Sequence, residues 1–484
     1  LPMPYEDLRE FVERLEAENE LARIKEKVSP ILEMTEIADR AIKSGGKALF
    51  FENPSGYNIP VLMNAFGTEK RMKIALEVDK FEEIGERLVE IARFRPSSFM
   101  DAVKSLGKLK DVISFIPKKT SKAPCKEREA ESLEKFPILK CWPGDAGRFI
   151  TLPVVITRDP ETGELNAGMY RMQVFDGRTT GMHWQIHKHG ALHLRKLAEK
   201  NGNKLEVAVA IGVEPALLYS ATAPLPEGIS EFMFAGFIRK RRIKVVDCET
   251  VDLQVPATAE IVLEGYVKPD ELRIEGPFGD HTGYYTPPEP YPVFHITHIT
   301  HREDPIYHAT VVGKPPMEDA WLGKATERVF LPLIKMILPE IVDMNIPAEA
   351  AFHNLAIVSI KKAYPGHAKK VMYGIWGLGI LSLTKIVVVV DDDVNVHNLS
   401  EVLWAVTSRF DPARDLVILP PSPTDALDHS AYIPNLAGKL GIDATRKWKE
   451  EGYEREWPEE VKMSEEVRRK VDVLWKSLGS KILR

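Results

Sequence analysis

Between residues 275 and 284 the chain reads Glu275-Gly276-Pro277-Phe278-Gly279-Asp280-His281-Thr282-Gly283-Tyr284. Two carboxylates five residues apart flank a Gly-Pro-Phe-Gly turn. Glycine lets the backbone fold sharply, so both acids can face one cavity. There, repulsion and desolvation push two carboxyl pKa values apart, which is how an acid/base pair is made. The competing reading is a surface turn with solvated acids, and on spacing alone it is the commoner case.

Histidines raise a second possibility. His183, His187, His189 and His193 fall within eleven residues, and His295, His298 and His301 recur at intervals of three. The second set lies on a predicted strand, where a spacing of three puts neighbours on opposite faces, wrong for one metal ion. The first set lacks H-E-x-x-H, yet one member remains open as a ligand because it follows Asn166 and Arg171 in a β-like stretch. Asp391-Asp392-Asp393 ends an apolar strand, where acids can take a metal or a ribose; a helix-capping cluster is the preferred reading. The chain has no G-x-G-x-x-G and no G-x-x-x-x-G-K-[ST]; Gly377-Leu378-Gly379 reads as a turn.

The elements that position these residues follow from periodicity. Leu8, Phe11, Val12 and Leu15 mark an amphipathic helix, a second runs near 32–43, and strands are predicted at 48–51 and 59–63 before a helix at 82–93. This alternation makes the first 115 residues an α/β region. Lysine-rich residues 117–128, with Pro117 and Pro124, read as a linker. From about 150 to 310, β-rich runs separated by turn residues suggest a barrel or sandwich with a few helices. The last third returns to α/β. Lys385 to Val390 is a near-continuous apolar strand of the kind buried on both faces. A helix over 398–410 follows, with Leu399, Val402, Leu403 and Val406 on one stripe. Residues 465–484 form a basic amphipathic helix, read as a subunit contact, with membrane-surface binding as the alternative.

Composition bounds the class. The chain has 484 residues, 44% of them hydrophobic, which suits about three domains and excludes disorder. With 65 Lys+Arg against 71 Asp+Glu, its net charge of −6 disfavours nucleic acid as a partner. Three scattered cysteines suit a reducing compartment. The acidic N-terminal stretch is unlike a targeting peptide, so the expected location is the cytoplasm.

Several strings together resemble the UbiD family of decarboxylases, which use a prenylated flavin. They are Tyr5 to Arg9, Glu36 to Arg40, Phe50 to Pro54, Phe66 to Thr68, Asn166 to Arg171, Pro226 to Phe232, Glu275 to Tyr284, Pro315 to Glu318 and Asp411 to Asp415. The resemblance spans nearly the whole chain, and its weight lies in order and spacing. It implies an N-terminal α/β region (1–115), a central split β-barrel-like flavin-binding domain (116–320), and a C-terminal α/β domain with a terminal oligomerisation helix (321–484).

Position by position, the resemblance implies that Arg171, Glu275 and Asp280 are the catalytic triad; some family members carry Glu at the third position. Asn166, His187 and Glu231 match residues that hold a divalent metal, Mn²⁺ or Mg²⁺, against the flavin phosphate. Arg171 and Lys385 join them as cofactor contacts, Lys385 toward the phosphate. A family potassium site carries over without assigned ligands. Prenylated FMN serves as the electron sink, supplied by a flavin prenyltransferase. The implied substrate is an aromatic acid, first 4-hydroxy-3-polyprenylbenzoate of ubiquinone biosynthesis, with a naphthoate of menaquinone biosynthesis as runner-up. A lipid tail would suit contact with the inner membrane surface, and family members form homo-oligomers from dimers to hexamers. Outside the family, a metal-dependent hydrolase built on the histidine cluster and a non-catalytic flavin-binding scaffold remain open.

Overall fold

The computed structural model describes residues 4–93, 115–185, 189–200, 202–225, 229–351 and 353–483. At the N-terminus, Asp7 caps the helix Leu8–Ala17 by accepting from the Glu10 amide, and Leu8, Phe11, Val12 and Leu15 are buried. That stripe packs beside a sheet of Leu21–Val28, Ala48–Pro54 and Val61–Met63. The fourth strand of this sheet, Tyr307–His308, comes from much later in the chain.

The central sheet runs in the order Thr179–Gly181, Glu289–His301, Ile261–Glu275, Leu205–Ile211, Val154–Arg158 and Leu165–Met169, all antiparallel. It is an open antiparallel sheet; among the described residues no sheet closes into a barrel. Its two longest strands pair from Ile261 opposite His301 to Glu275 opposite Glu289. A β-bulge shifts their register at Glu264/Gly265, and the His295 backbone crowds Gly265 there. The helices His189–Glu199, Pro215–Thr222 and Glu231–Arg239 complete this region.

The C-terminal sheet has the order Ile341–Asn345, Leu355–Ile360, Ile386–Asp391, Leu436–Ala444 and Leu416–Pro423. Its inner three strands are parallel and its edge strands antiparallel. Val387 and Val389 pack toward Met372 and Ile375, while Val388 and Val390 pack toward Val402 and Ala405. The uninterrupted apolar run is thus covered on both faces, as its composition predicts.

Three expectations need correction. The segment 117–128 is not a free linker: Lys118–Lys119 pairs with Lys244–Asp247, Cys125 is buried, and the adjoining Arg128–Glu129 extends the central sheet. Backbone pairing and one buried side chain outweigh its lysine-rich, proline-bearing composition. The aspartates at 391–393 do not cap the next helix. Asn398 does that, accepting from the Glu401 amide, while Asp391 and Asp393 bind Arg409 at the helix's far end. A buried guanidinium needs paired carboxylates more than a helix start with its own asparagine does. Finally, Leu399 and Leu403 are exposed on the helix Leu399–Arg409; Val402 and Ala405 form its buried edge.

The three cysteines are free. Among the described residues no helix is long and apolar enough to cross a membrane. The terminal helix Glu465–Ile482 leaves Val467, Val471, Leu474, Trp475 and Leu478 exposed along one side.

The bulge yields a test of the fold. A Cβ at position 265 would lie 1.8 Å from the His295 carbonyl oxygen, a backbone atom that cannot swing away. Gly265→Ala should therefore destabilise the protein by about 3 kcal/mol, read as a lowered midpoint in chemical unfolding.

Candidate active site

The long strand Ile261–Glu275 delivers Glu275 at its very end. Gly276 follows with φ +91°, a left-handed turn suited to glycine. Phe278–Gly279 then pairs with Tyr285–Thr286, closing a loop that carries Asp280. Two buried acceptors pin this loop. Gln173 Oε1 takes the Gly276 amide at 2.8 Å, and Asp145 takes those of Gly279 at 2.7 Å and Trp142 at 2.9 Å.

Arg171, just beyond the strand Leu165–Met169, enters from the other side. Its Nε donates to Glu275 Oε1 at 2.8 Å, its Nη2 donates to Oε2 at 3.3 Å, and its Nη1 donates to Asp280 Oδ2. The guanidinium lies 4.5 Å over the Phe278 ring. Side-chain exposure is 8% for Arg171, 1% for Glu275 and 8% for Asp280. The acid pair is therefore a buried ion triad, and the reading of a solvated surface turn fails.

Further partners complete each carboxylate. Thr286 Oγ1 donates to Asp280 Oδ2 at 2.9 Å, and the His281 amide donates to Oδ1 at 2.7 Å. His183 Nδ1 meets Glu275 Oε2 at 2.9 Å, and its ring lies 4.2 Å from that of Tyr291. Burial drives the pKa of both acids up, but their partners win. Hydrogen bonds from His183 and Arg171 with the nearby positive charge bring Glu275 below the ordinary glutamate range, and His281 with Arg171 does the same for Asp280. Burial and Arg171 together depress His183, favouring a neutral imidazole.

A second cluster forms where Glu231 opens the helix Glu231–Arg239. Glu231 Oε1 accepts from Asn166 Nδ2 and Oε2 from the Ala167 amide, both at 2.9 Å. Burial raises this carboxyl to about 7. Asn166 Nδ2 also lies 2.9 Å from His189 Nδ1, and Asn166 Oδ1 is buried without a partner among the described residues. His187, the third member expected here, lies outside the described residues. Among the described residues no group of three or more His, Cys, Asp or Glu side chains is poised to hold a metal. The histidine cluster is dispersed: His183 meets Glu275, His189 meets Asn166, and His193 meets Thr157.

Lys385 sits in the C-terminal region, where its ammonium contacts Asp428 at 2.9 Å and Ser430 at 2.7 Å. Asp428 belongs to a loop that lines one side of a cavity of about 220 Å³; Gln185, Thr286, Glu289 and Tyr291 line the other. Sequence reasoning missed His183 as a partner of Glu275, and it missed this loop. Neither carries a local signal, because the contacts join segments roughly a hundred residues or more apart.

A buried Glu–Arg–Asp triad beside a cavity between an open antiparallel sheet and an α/β unit defines a class, and comparison with known proteins identifies it. Residues 12–88, 117–315 and 320–444 match the N-terminal, Rift-related and C-terminal domain models of 3-octaprenyl-4-hydroxybenzoate carboxy-lyase. The chain belongs to the UbiD family of carboxy-lyases. An uncharacterised protein of Archaeoglobus fulgidus is 78% identical over 99% of this chain and 100% of its own length. The closed form of vanillic acid decarboxylase from Sedimentibacter hydroxybenzoicus superposes with a TM-score of 0.84 at 30% identity, covering 98% of this chain and 100% of that one. A UbiD-class enzyme from Pelotomaculum thermopropionicum, solved with FMN, gives 0.80 at 31% identity over 96% and 99%.

The triad predicts a pH-dependent defect. Glu275 and Asp280 titrate below their unfolded values, so their stabilisation is present at neutral pH and fades as pH falls through those depressed values. Arg171→Met leaves two buried carboxylates facing each other without a cation. It should cost about 3 kcal/mol near neutrality, with the deficit shrinking toward about pH 4 as the acids protonate. Denaturant unfolding at several pH values measures both.

Proposed function

We propose that this protein catalyses the non-oxidative decarboxylation of an aromatic acid with prenylated FMN. The observation that carries the reading is the buried Arg171–Glu275–Asp280 triad, held in place by Gln173, Asp145 and Thr286. Loss of CO₂ leaves an electron pair on an sp² carbon that no side chain can hold, and the bound cofactor supplies that sink. Arg171 presents a desolvated cation to orient the substrate carboxylate. As that anion draws on Arg171, Glu275 loses part of the charge that keeps it ionised, and its proton affinity rises. Glu275 then protonates the carbon, while Asp280 holds the guanidinium in place.

The second cluster fits a hard divalent ion, Mn²⁺ or Mg²⁺. Asn166 Oδ1 is a buried oxygen without a donor among the described residues, and Glu231 adds a carboxylate whose charge is costly without a cation. Asn166 and Glu231, with His187, would hold the ion against the flavin phosphate. Lys385 is bound to Asp428, whose loop lines the cavity, and as the proposed phosphate contact it is the least supported of the set.

The first substrate to test is 4-hydroxy-3-polyprenylbenzoate, and the second is the naphthoate. A cavity of about 220 Å³ suits one aromatic head group, so a polyprenyl tail would extend through its mouth. The vanillic acid decarboxylase similarity adds small phenolic acids to the panel. Protein co-expressed with a flavin prenyltransferase and incubated with each acid decides among them; turnover of the naphthoate alone would remove the first choice.

Glu275→Gln should keep the flavin but lose turnover by at least about 10²-fold. A variant decarboxylating at the parental rate would remove Glu275 as the acid. Glu231→Ala should lose metal and flavin together, read by metal analysis and the flavin absorbance. In the parent, divalent-metal affinity should weaken as pH falls below about 7, because the ion competes with a proton on Glu231. Calorimetric titration at several pH values tests this.

A further inference from the structure

We propose that Glu289, held by Tyr291, selects the substrate by accepting a hydrogen bond from a donor group on its ring, a hydroxyl in the acids named above. This rests on the cavity being the substrate site of an aromatic-acid decarboxylase. It does not depend on which group protonates the carbon.

Glu289 sits directly opposite Glu275 at the base of the loop, so the two side chains leave the same face of the strand pair. Like charges placed this way are destabilising, and only one of them is compensated. Arg171 and His183 take the oxygens of Glu275. Among the described residues Glu289 forms no ion pair, and its one side-chain partner is Tyr291, whose Oη donates to Oε2 at 3.2 Å. The loop itself is pinned by Asp145, Gln173 and Thr286 without it. Both Glu289 and Tyr291 line the cavity, beside Thr286 and Pro287 and across from Leu427. The Tyr291 ring lies 4.2 Å from that of His183. Burial, then the Glu289 carboxylate, raise the pKa of this phenol, so it stays protonated and keeps donating to Glu289. A carboxylate has about four acceptor positions, and Tyr291 uses one. The remainder are left for solvent or for a ligand in the cavity. The other carboxylate on the cavity wall, Asp428, is already engaged by Lys385 and Ser430.

One group then makes two selections. A ring hydroxyl gains a charge-assisted hydrogen bond that a methoxy group in the same place cannot make. A second carboxylate on the ring meets repulsion, with no cation paired to Glu289 to relieve it. Because Glu289 also reaches solvent, the gain lies at the low end for a bond to a charged group, about 10-fold in affinity. Tyr291 acts through Glu289, as a positioning residue.

The test measures binding separately from turnover. Flavin-loaded enzyme is titrated by calorimetry with 3- and 4-hydroxybenzoate, the matching methoxybenzoates and terephthalate. The parent should bind one of the hydroxy acids about 10-fold more tightly than its methoxy partner, and terephthalate most weakly. Glu289→Leu should equalise that hydroxy–methoxy pair and tighten terephthalate. Glu289→Gln keeps an acceptor and the Tyr291 bond without the charge. It should retain a smaller hydroxyl preference and also tighten terephthalate. Ratios taken within each variant cancel differences in flavin loading. A parent without a hydroxyl preference, a parent that binds none of these acids, or a preference undiminished in both variants would overturn the selection. Two further outcomes separate it from the reaction beneath it. A Glu289-dependent hydroxyl preference in a protein that decarboxylates none of its ligands would remove the decarboxylase reading and leave the recognition. Decarboxylation of hydroxy and methoxy acids with one kcat/KM would remove the recognition and leave the reaction.

Discussion

A guanidinium removed from water must be matched by carboxylates, and much of this protein serves to supply them to Arg171. The cost of burying such a charge is several kcal/mol, recovered only when geometry and hydrogen bonds are good. Glu275 meets it with two bonds and Asp280 with a third. Each carboxylate is in turn held by further partners: His183 on one, Thr286 and the His281 amide on the other. The triad is preorganised because none of its members has a free alternative.

That preorganisation reaches into the sheet. Glu275 is the last residue of a strand whose partner starts at Glu289, so the loop between them is closed at its base by strand pairing. Asp145 and Gln173 tie the loop to two other segments. The C-terminal unit adds the opposite wall of the cavity through a loop anchored by the Lys385–Asp428 ion pair. Its sheet is stiffened by apolar packing on both faces and by Arg409 between Asp391 and Asp393. Chemistry and recognition thus come from different parts of the chain that meet at one cavity.

The resting site is charged, whereas protonating a carbon needs a neutral acid. The conflict resolves in the triad itself. Arg171 is shared between two carboxylates, so in the proposed reaction an anionic substrate would compete for it directly and raise the proton affinity of Glu275 on arrival. On the proposed function, the site would become an acid when a carboxylate is bound.

Local pattern was legible wherever one residue's neighbours in sequence are also its neighbours in space. The helix Leu8–Ala17 buries the four residues that its spacing marks, and the strand Ile386–Asp391 is covered on both faces as its apolar run requires. Arg171, Glu275 and Asp280 were nameable by resemblance, but spacing alone favoured solvated acids. Burial depends on what covers a loop, and Asp145, Gln173 and Arg171 arrive from more than a hundred residues away. The aspartates at 391–393 misled for the same reason, since a cap and a salt bridge ask for the same residue type. The sequence by itself determined most of the elements, which follow from side-chain type and short-range periodicity, and the family, whose strings it carries in order. Tertiary structure alone decided that the acids are buried, that His183 touches Glu275, and that the C-terminal loop walls the cavity, because desolvation and hydrogen bonding depend on three-dimensional neighbours.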